Sequence, residues 1–239
     1  MFFVYLLRTY LYENGRIRLR KTQNMSKISK NLDMVLSLDK ETYKLDVKNF
    51  YPTKTKKSQI ILGGSLRKNS NHILHLKNKD FGLTKRWPTF SITREGLIYQ
   101  HYDPMYYSDY MGIKEIDKKS VSIVLENMGM LFYDINKESF VNWINEDCDD
   151  KVIYEKLWKN CRYWEYYTDE QYDAVVGLCV FLSKEYDIHM DALGFNVFHE
   201  EVENFKGIVT RSNFDSDYFD LNPSFDFQKF LKMLNISMD

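Results

Sequence analysis

Two histidines, His72 and His75, stand three residues apart and are followed by Asp80. On a helix this spacing places both imidazole rings on one face, and imidazole and carboxylate groups are ligands that zinc accepts. The same spacing is more typical of a solvated helix face, which is what we expect here. The remaining histidines have no partner at a useful spacing, so we expect each at the surface or partly buried. They are His101, His189 and His199.

The cysteines do not favour redox or metal chemistry. Cys148, Cys161 and Cys179 match neither a metal knuckle nor a Cys-x-x-Cys redox pair, so we expect reduced thiols. Residues 1–7 are apolar, but no charged region precedes them and Arg8 interrupts the run. We therefore expect no signal peptide and no membrane span. The protein is expected to be cytoplasmic at synthesis.

The composition predicts a globular protein with one large domain. Of the 239 residues, 44% are hydrophobic and 16% are aromatic, which is enough for one sizeable core. A formal net charge of -1 gives no overall attraction to nucleic acid, so we expect no nucleic-acid partner. A basic segment near the start is expected to be a solvated, flexible arm. It contains Arg16, Arg18, Arg20, Lys21, Lys27 and Lys30.

We place the domain boundary near residue 45. Residues 1–44 are then an N-terminal extension that is partly disordered, and residues 45–239 form the folded domain. Met25 begins a more ordinary polar start than Met1 does. One hypothesis is therefore that residues 1–24 are an upstream extension with little structure of their own.

Four short segments predict β-strands. Residues 59–62 are an apolar run that ends at Gly63 and Gly64, as a buried strand ending in a loop would. Residues 89–93 and 97–100 flank a turn and predict a hairpin. Residues 120–125 are almost continuously apolar and β-branched, which is typical of the interior of a sheet.

Two helices complete the predicted architecture. Thr168 and Gln171 form a capping box at the start of a helix over residues 169–186, whose apolar side chains recur at helical spacing. A last helix with a phenylalanine- and leucine-rich face is predicted after Pro223. Strands followed by packing helices indicate an α/β domain, with a central mixed β-sheet flanked by helices.

Six segments carry a recognisable pattern, namely residues 59–62, 91–100, 119–127, 167–171, 207–210 and 220–227. In this order and spacing they resemble the phage and bacterial N-acetylmuramoyl-L-alanine amidases, which have the peptidoglycan-recognition fold. The resemblance covers roughly residues 45–237, and it implies a groove for the peptide stem of peptidoglycan and a zinc ion in working members. Zinc would activate a water for attack on the lactyl amide.

The zinc ligands that this resemblance implies are mostly absent from the sequence. The family's first histidine falls on Gly63, with Gly64 beside it, and the second falls on Arg211. Glycine has no ligand, and a guanidinium cannot coordinate zinc. Asp220 is the one position that keeps a ligand-type residue. We therefore expect no zinc cofactor.

Two supporting residues of the family are also replaced. The lysine that would stabilise the oxyanion falls on Tyr218, and the glutamate that would act as general base falls on Val124. Together with Gly63, Arg211 and Asp220, these positions predict that hydrolysis has been lost.

Arg211 and Asp220 would face each other across the family's metal site. One hypothesis is that they form an ion pair in place of the zinc. The alternative is that Arg211 points to solvent and Asp220 caps the last helix.

The candidates for a binding groove are glycines, tyrosines and one arginine at or near the positions that correspond to the family's metal site. Two aromatic clusters, residues 102–110 and 163–167, are rich in tyrosine, and core and rim packing explains most of this richness. The groove candidates are Gly63, Gly64, Tyr107, Tyr110, Arg211 and Tyr218.

Two functions follow from these positions. The first is an inactive amidase-like protein that binds peptidoglycan or a protein partner, as a phage virion or lysis-associated component. The second is a divergent but active zinc amidase with substitute ligands such as His72, His75 and Asp220. No membrane partner is expected for either.

Overall fold

The computed structural model describes residues 12–13, 16–17 and 38–238. This part of the chain forms two β-sheets and four α-helices. The strands are β1 Tyr12–Glu13, β2 Arg16–Ile17, β3 Leu38–Asp39, β4 Gln59–Gly64, β5 Phe90–Ile92, β6 Ile98–Gln100, β7 Ser120–Leu125, β8 Met130–Asp134, β9 Ser139–Asn142, β10 Asp147–Cys148, β11 Ile153–Trp158, β12 Cys161–Glu165, β13 Ala192–Leu193 and β14 Gly207–Thr210. The helices are α1 Asn69–Asn78, α2 Lys114–Lys119, α3 Asp169–Tyr186 and α4 Phe227–Met238.

The larger sheet is mixed, as the sequence predicts. Among the described residues its strand order is β1-β2-β13-β14-β4-β7-β5-β6-β3. Strands β14, β4, β7 and β5 run parallel and form its centre, whereas β5 and β6 form an antiparallel hairpin. Every residue of β4 and β7 is buried, which is why both strands read as nearly continuous apolar runs.

The predicted strands are confirmed. Strand β7 has the predicted bounds, and β4 runs two residues further, through Gly64. The hairpin is also present, and its turn requires Gly96, whose φ is +79°. A Cβ atom at Gly96 would lie 2.8 Å from the carbonyl oxygen of Glu170, so the turn has no room for a side chain next to α3.

Helix α3 has the predicted bounds and the predicted capping box. The Thr168 hydroxyl accepts from the backbone N–H of Gln171, whose side chain accepts from the backbone N–H of Thr168. Helix α4 begins at Phe227, four residues after Pro223. Both helices pack on one face of the larger sheet through buried side chains such as Leu178 and Phe230, and they form the main core.

The opposite face of the larger sheet carries two smaller apolar clusters. Ile61 and Val209 pack there with Ile116 of α2. Trp87 and Ile73 of α1 belong to the second cluster. This face is therefore covered by α1, α2 and the loops that join them to the sheet.

A second, antiparallel sheet lies between β7 and α3 in the chain and is absent from the sequence prediction. Its strand order is β10-β9-β8-β12-β11. Leu131 and Cys148 are buried in its small core, against which Tyr163 packs. The tight turn between β11 and β12 contains Lys159 and Asn160, both with positive φ, as is typical of two-residue hairpin loops.

The side chain of Lys159 at this turn reaches the segment before Asp220. Its Nζ donates to the carbonyl oxygen of Tyr218 over 2.5 Å and also to that of Ser216. The same ammonium lies 4.5 Å from the ring centroid of Trp158. The small sheet is thereby attached to the segment that leads into Asp220.

The N-terminal part of the chain contributes short strands to the sheet. Leu38 and Asp39 pair in parallel with β6, and Arg16 and Ile17 pair with β13. Participation in the sheet thus begins before residue 45, while the domain boundary there stays a prediction. Residues 1–7 and Met25 lie outside the described residues, as do all residues of the predicted basic arm except Arg16. Among the helices that the structure describes, none is both long enough and apolar enough to cross a membrane.

Candidate functional site

The site begins where three parallel strands of the larger sheet end side by side. Thr210 at the end of β14 pairs with Leu62 of β4, so the next residues, Arg211 and Gly63, are neighbours. On its other side Gly63 pairs with Val124 of β7. The fold therefore brings together residues that are far apart in the chain, as ligand sites at the carboxyl ends of strands require.

Arg211 and Asp220 form an ion pair at this edge, which confirms the pairing hypothesis. Arg211 Nη1 donates to Asp220 Oδ2 over 3.2 Å, and the Asp220 side chain is 1% exposed. The same carboxylate oxygen accepts from the backbone N–H of Gly64 at 3.2 Å. The alternative, that Asp220 caps the last helix, is wrong: Asp226 accepts from the backbone N–H of Lys229 at the start of α4.

Two tyrosine rings enclose the guanidinium of Arg211. Its Cζ atom lies 4.0 Å from the ring centroid of Tyr218 and 5.4 Å from that of Tyr110, both within the range of cation–π attraction. Burial by itself would lower the pKa of Arg211, but the Asp220 carboxylate and the two phenols raise it above its ordinary value. Arg211 is therefore a fixed positive charge.

Gly63 has no room for a side chain in this arrangement. A Cβ atom there would lie 2.5 Å from Tyr110 Oη, 2.7 Å from Asp220 Oδ2 and 3.1 Å from Arg211 Cδ. These three side chains fill the space in which a side chain on residue 63 would begin. The predicted candidates Gly63, Tyr110, Arg211, Tyr218 and Asp220 thus lie together, and we call them the arginine cluster.

Three buried polar atoms of the arginine cluster have no hydrogen-bond partner among the described residues. They are Tyr110 Oη, Arg211 Nε and Asp220 Oδ1. Burial raises the pKa of Tyr110, so its phenol stays protonated and can donate. Because buried polar atoms in folded proteins nearly always have partners, these two donors and one acceptor stand out within the arginine cluster.

Two of the three remaining positions of the predicted site, Val124 and Gly64, lie beside the arginine cluster. The Val124 side chain is 2% exposed and apolar, so no proton acceptor stands at this place in β7. A Cβ atom at Gly64 would lie 3.2 Å from Tyr167 Oη. Burial, followed by the negative charge of Asp220, raises the pKa of Tyr167 well above its ordinary value. This phenol therefore also stays neutral.

The arginine cluster does not fit the zinc ion that the sequence resemblance implies. Gly63 offers no ligand atom, and the space beside it is occupied by Arg211, whose permanent positive charge repels a cation. Within the described part of the chain, no three side chains of His, Cys, Asp or Glu come together to hold a metal ion. His72, His75 and Asp220 therefore do not form the substitute ligand set.

The histidines have more varied surroundings than the sequence predicts. His75 is exposed, as expected on a solvated helix face, but His72 is only partly exposed and burial lowers its pKa to about 3. The expectation that His101 is at the surface or partly buried is wrong, because this residue is 0% exposed. Its ring nitrogens contact Tyr43 O at 3.1 Å and Ser91 Oγ at 2.8 Å.

Tyr107, the other groove candidate, makes a separate set of contacts. Its ring stacks on that of Tyr51 with the centroids 4.8 Å apart, and it lines a pocket with Arg86 and Lys114. Sequence reasoning also missed Lys159, which holds the backbone at Tyr218. The only signal for Lys159 in the sequence is the turn-forming pair Lys159-Asn160. That pair does not show which segment of the protein the turn contacts.

Comparison with known proteins gives no match to a family model and none to a curated protein. Solved structures do match. The N-acetylmuramoyl-L-alanine amidase LysC from Clostridium intestinale is 13% identical, with a TM-score of 0.46 over 83% of this chain and 95% of that chain. The N-acetylmuramyl-L-alanine amidase AmiD from E. coli is 14% identical, with a TM-score of 0.47 over 82% of this chain and 65% of that chain.

Proposed function

We propose that this chain is an amidase-like protein that no longer hydrolyses its substrate and instead binds a peptidoglycan fragment at the arginine cluster. The observation that carries the proposal is the Arg211–Asp220 ion pair beside Gly63, at three of the positions where the resembled family holds its metal. A role as a phage virion or lysis-associated component, made in the cytoplasm and released at the cell wall, is part of this proposal.

The groups present in the arginine cluster do not support hydrolysis. Attack on an amide needs a base or a metal that activates water. The phenol of Tyr110 has a raised pKa, and the guanidinium of Arg211 stays protonated. Asp220 Oδ2 is held by Arg211 and by the backbone N–H of Gly64, and Oδ1 is buried away from solvent water. Val124, where the family has a glutamate, cannot accept a proton.

The same groups suit a peptide amide as a ligand. An amide has a carbonyl oxygen that accepts and an N–H that donates. Tyr110 Oη and Arg211 Nε are buried donors without a partner in the described residues, and Asp220 Oδ1 is the matching acceptor. All three atoms are buried, so a ligand reaches them by displacing the side chains that cover Arg211, which is itself 22% exposed. A ligand that then pairs with all three removes the cost of leaving them unpaired. The amides of a short peptide such as the peptide stem of peptidoglycan are free to make these contacts, whereas most amides of a folded protein partner are already hydrogen-bonded.

The test combines three measurements on one purified sample: zinc content, peptidoglycan hydrolysis and sedimentation with insoluble peptidoglycan. We expect no zinc, no hydrolysis and cosedimentation. Tyr110→Phe removes one donor with little change in shape and is expected to weaken cosedimentation. Tyr133→Phe, at an exposed tyrosine of β8, is the matched control and is expected to bind as the wild type does.

The other possible results of these measurements distinguish an active enzyme, a protein partner and a different peptidoglycan-binding surface. Stoichiometric zinc together with hydrolysis would overturn the proposal and favour the divergent active enzyme. A wild-type protein that neither hydrolyses peptidoglycan nor sediments with it would exclude this ligand and leave a protein partner as the occupant of the arginine cluster. Equal binding by Tyr110→Phe and Tyr133→Phe would place the peptidoglycan contact elsewhere on the molecule.

A further inference from the structure

A pocket lies beside the segment that carries Tyr110, and it shares no residue with the arginine cluster. Its volume is about 360 Å³, near the lower end of the range for small-molecule sites. A ligand of the size of one phosphorylated sugar fits this volume. The pocket is lined by Tyr51, Arg86, Tyr107, Asp109, Gly112 and Lys114.

The pocket has an excess of positive charge. Arg86 and Lys114 are both exposed, and neither forms an ion pair with any residue that the structure describes. Asp109 is the only carboxylate among the lining residues. An arginine fork and a lysine point charge at one pocket are suited to a phosphate group. A phosphate monoester carries close to two negative charges near neutral pH, which matches two cations better than a carboxylate does.

Asp109 supplies a hydrogen-bond acceptor next to these cations. Its Oδ2 accepts from the hydroxyl of Tyr51 over 3.0 Å, and this hydrogen bond raises the pKa of Tyr51. The phenol therefore stays protonated and holds the carboxylate in one orientation. The other oxygen of Asp109 is left to accept from a ligand hydroxyl, because no described residue donates a hydrogen bond to it.

The wall of the pocket is rigid. Tyr51 and Tyr107 stack with their ring planes 18° apart, and the backbone N–H of Tyr51 donates to the carbonyl oxygen of Tyr107 over 2.8 Å. Lys85 Nζ lies 4.4 Å from the Tyr51 ring centroid and donates to the carbonyl oxygen of Phe50. A wall whose side chains are already held in place reduces the entropy that binding costs.

We propose that this pocket binds a phosphorylated sugar or polyol. The phosphate group lies between Arg86 and Lys114, and a hydroxyl of the same ligand donates to Asp109. The ligand chemistry is the same whether the group belongs to a free metabolite or to a repeating polymer. The proposal does not depend on the function of the arginine cluster.

The test is calorimetric titration of the full-length protein with glucose 6-phosphate, inorganic phosphate and glucose. We expect saturable binding of glucose 6-phosphate, weaker binding of inorganic phosphate and no binding of glucose. The variant Arg86→Gln with Lys114→Gln is expected to raise the Kd for glucose 6-phosphate about tenfold or more, equivalent to about 1.4 kcal/mol. Lys184→Gln with Lys232→Gln, at two exposed lysines in α3 and α4, makes the same change in net charge and is expected to leave the Kd unchanged.

A third variant tests the role of Asp109. Asp109→Asn is expected to reduce the preference for glucose 6-phosphate over inorganic phosphate, while inorganic phosphate binds no more weakly than before. The proposal is overturned if the wild type shows no saturable binding of glucose 6-phosphate, if the control variant loses as much affinity as Arg86→Gln with Lys114→Gln, or if inorganic phosphate binds as tightly as the sugar phosphate. If it holds, a glycerol phosphate polymer in the same titration separates a polymeric ligand from a free metabolite.

Discussion

Arg211 Nη1 lies 3.2 Å from Asp220 Oδ2, and this contact stands beside Gly63, where a Cβ atom would be 2.7 Å from the same carboxylate oxygen. The absence of a side chain at residue 63 and the presence of the ion pair therefore depend on each other. A glycine at the end of β4 leaves space, and an arginine at the end of β14 fills it. Four predictions test this relationship and the surrounding fold.

Asp220→Ala is expected to destabilise the protein by about 3 kcal/mol, because it leaves the largely buried guanidinium of Arg211 without its counter-charge. The free energy of unfolding in urea, followed by tryptophan fluorescence, measures this loss. Glu155→Ala is the control, since it breaks an ion pair with Arg162 in which both side chains are more than half exposed. That change is expected to cost less than about 1 kcal/mol. Similar losses in the two variants would contradict a structural role for the buried pair.

Gly63→Ala is expected to destabilise the protein by about 1–3 kcal/mol, because its methyl group would overlap with Tyr110 Oη and Asp220 Oδ2. Gly64→Ala is the neighbouring control. Its closest contact would be 3.2 Å from Tyr167 Oη, so we expect a smaller loss. Thermal unfolding of both variants followed by circular dichroism compares them. A Gly63→Ala variant as stable as the wild type would show that the space beside residue 63 is open.

His101 is expected to make the protein sensitive to acid below about pH 6.5. Burial lowers its pKa to about 4 from 6.5, so the unfolded state takes up a proton first as the pH falls. Stability contributed by the neutral ring is therefore present above pH 6.5 and is lost as the pH falls towards 4. The loss between pH 7 and pH 5 is on the order of 2 kcal/mol for this group. His101→Gln should lose correspondingly less free energy of unfolding over the same range, and an unchanged loss would contradict the assignment.

Lys57 is expected to make the free energy of unfolding depend on pH in the alkaline range, above pH 7. Its ammonium is buried and donates to the carbonyl oxygens of Tyr106 and Lys118 at 2.7 and 2.8 Å. Burial lowers its pKa to about 7 from 10.5, so above pH 7 the unfolded state binds more protons and stability rises with pH. In Lys57→Met this contribution disappears. Between pH 7 and pH 9 the free energy of unfolding of the wild type should therefore increase relative to that of Lys57→Met. A constant difference between the two proteins would contradict the shift.

The sequence predicts the elements whose residues carry a local signal. Residues 120–125 are recognised as a strand because both faces are buried, and α3 is recognised because Thr168 and Gln171 cap it. The small sheet was missed because its strands are half exposed and polar residues interrupt their apolar pattern, as in β11, where Glu155 and Lys156 are exposed. The alternation of apolar and polar residues does not identify a strand in which so few side chains are buried.

The candidate site is predictable in its members but not in its contacts. The resemblance to the amidases selects Gly63, Arg211 and Asp220, since each occupies a motif position. It does not show that Tyr110 reaches Gly63 from a loop, or that Tyr107, three residues earlier, stacks on Tyr51 instead. Those contacts depend on how the loop crosses the ends of the strands, and no pattern within the loop encodes that path.

The contact between Lys159 and the backbone at Tyr218 and Ser216 makes the small sheet a brace for the segment that leads to Asp220. The β11–β12 turn is therefore mechanically linked to the arginine cluster through Tyr218, although Lys159 and Tyr218 are 59 residues apart in the chain. A shortened version of the protein that removes the small sheet, or a protease cut at its turn, would release this segment. Asp220 would then keep its contacts with Arg211 and the backbone N–H of Gly64, but the segment that leads to it would lose its attachment to Lys159.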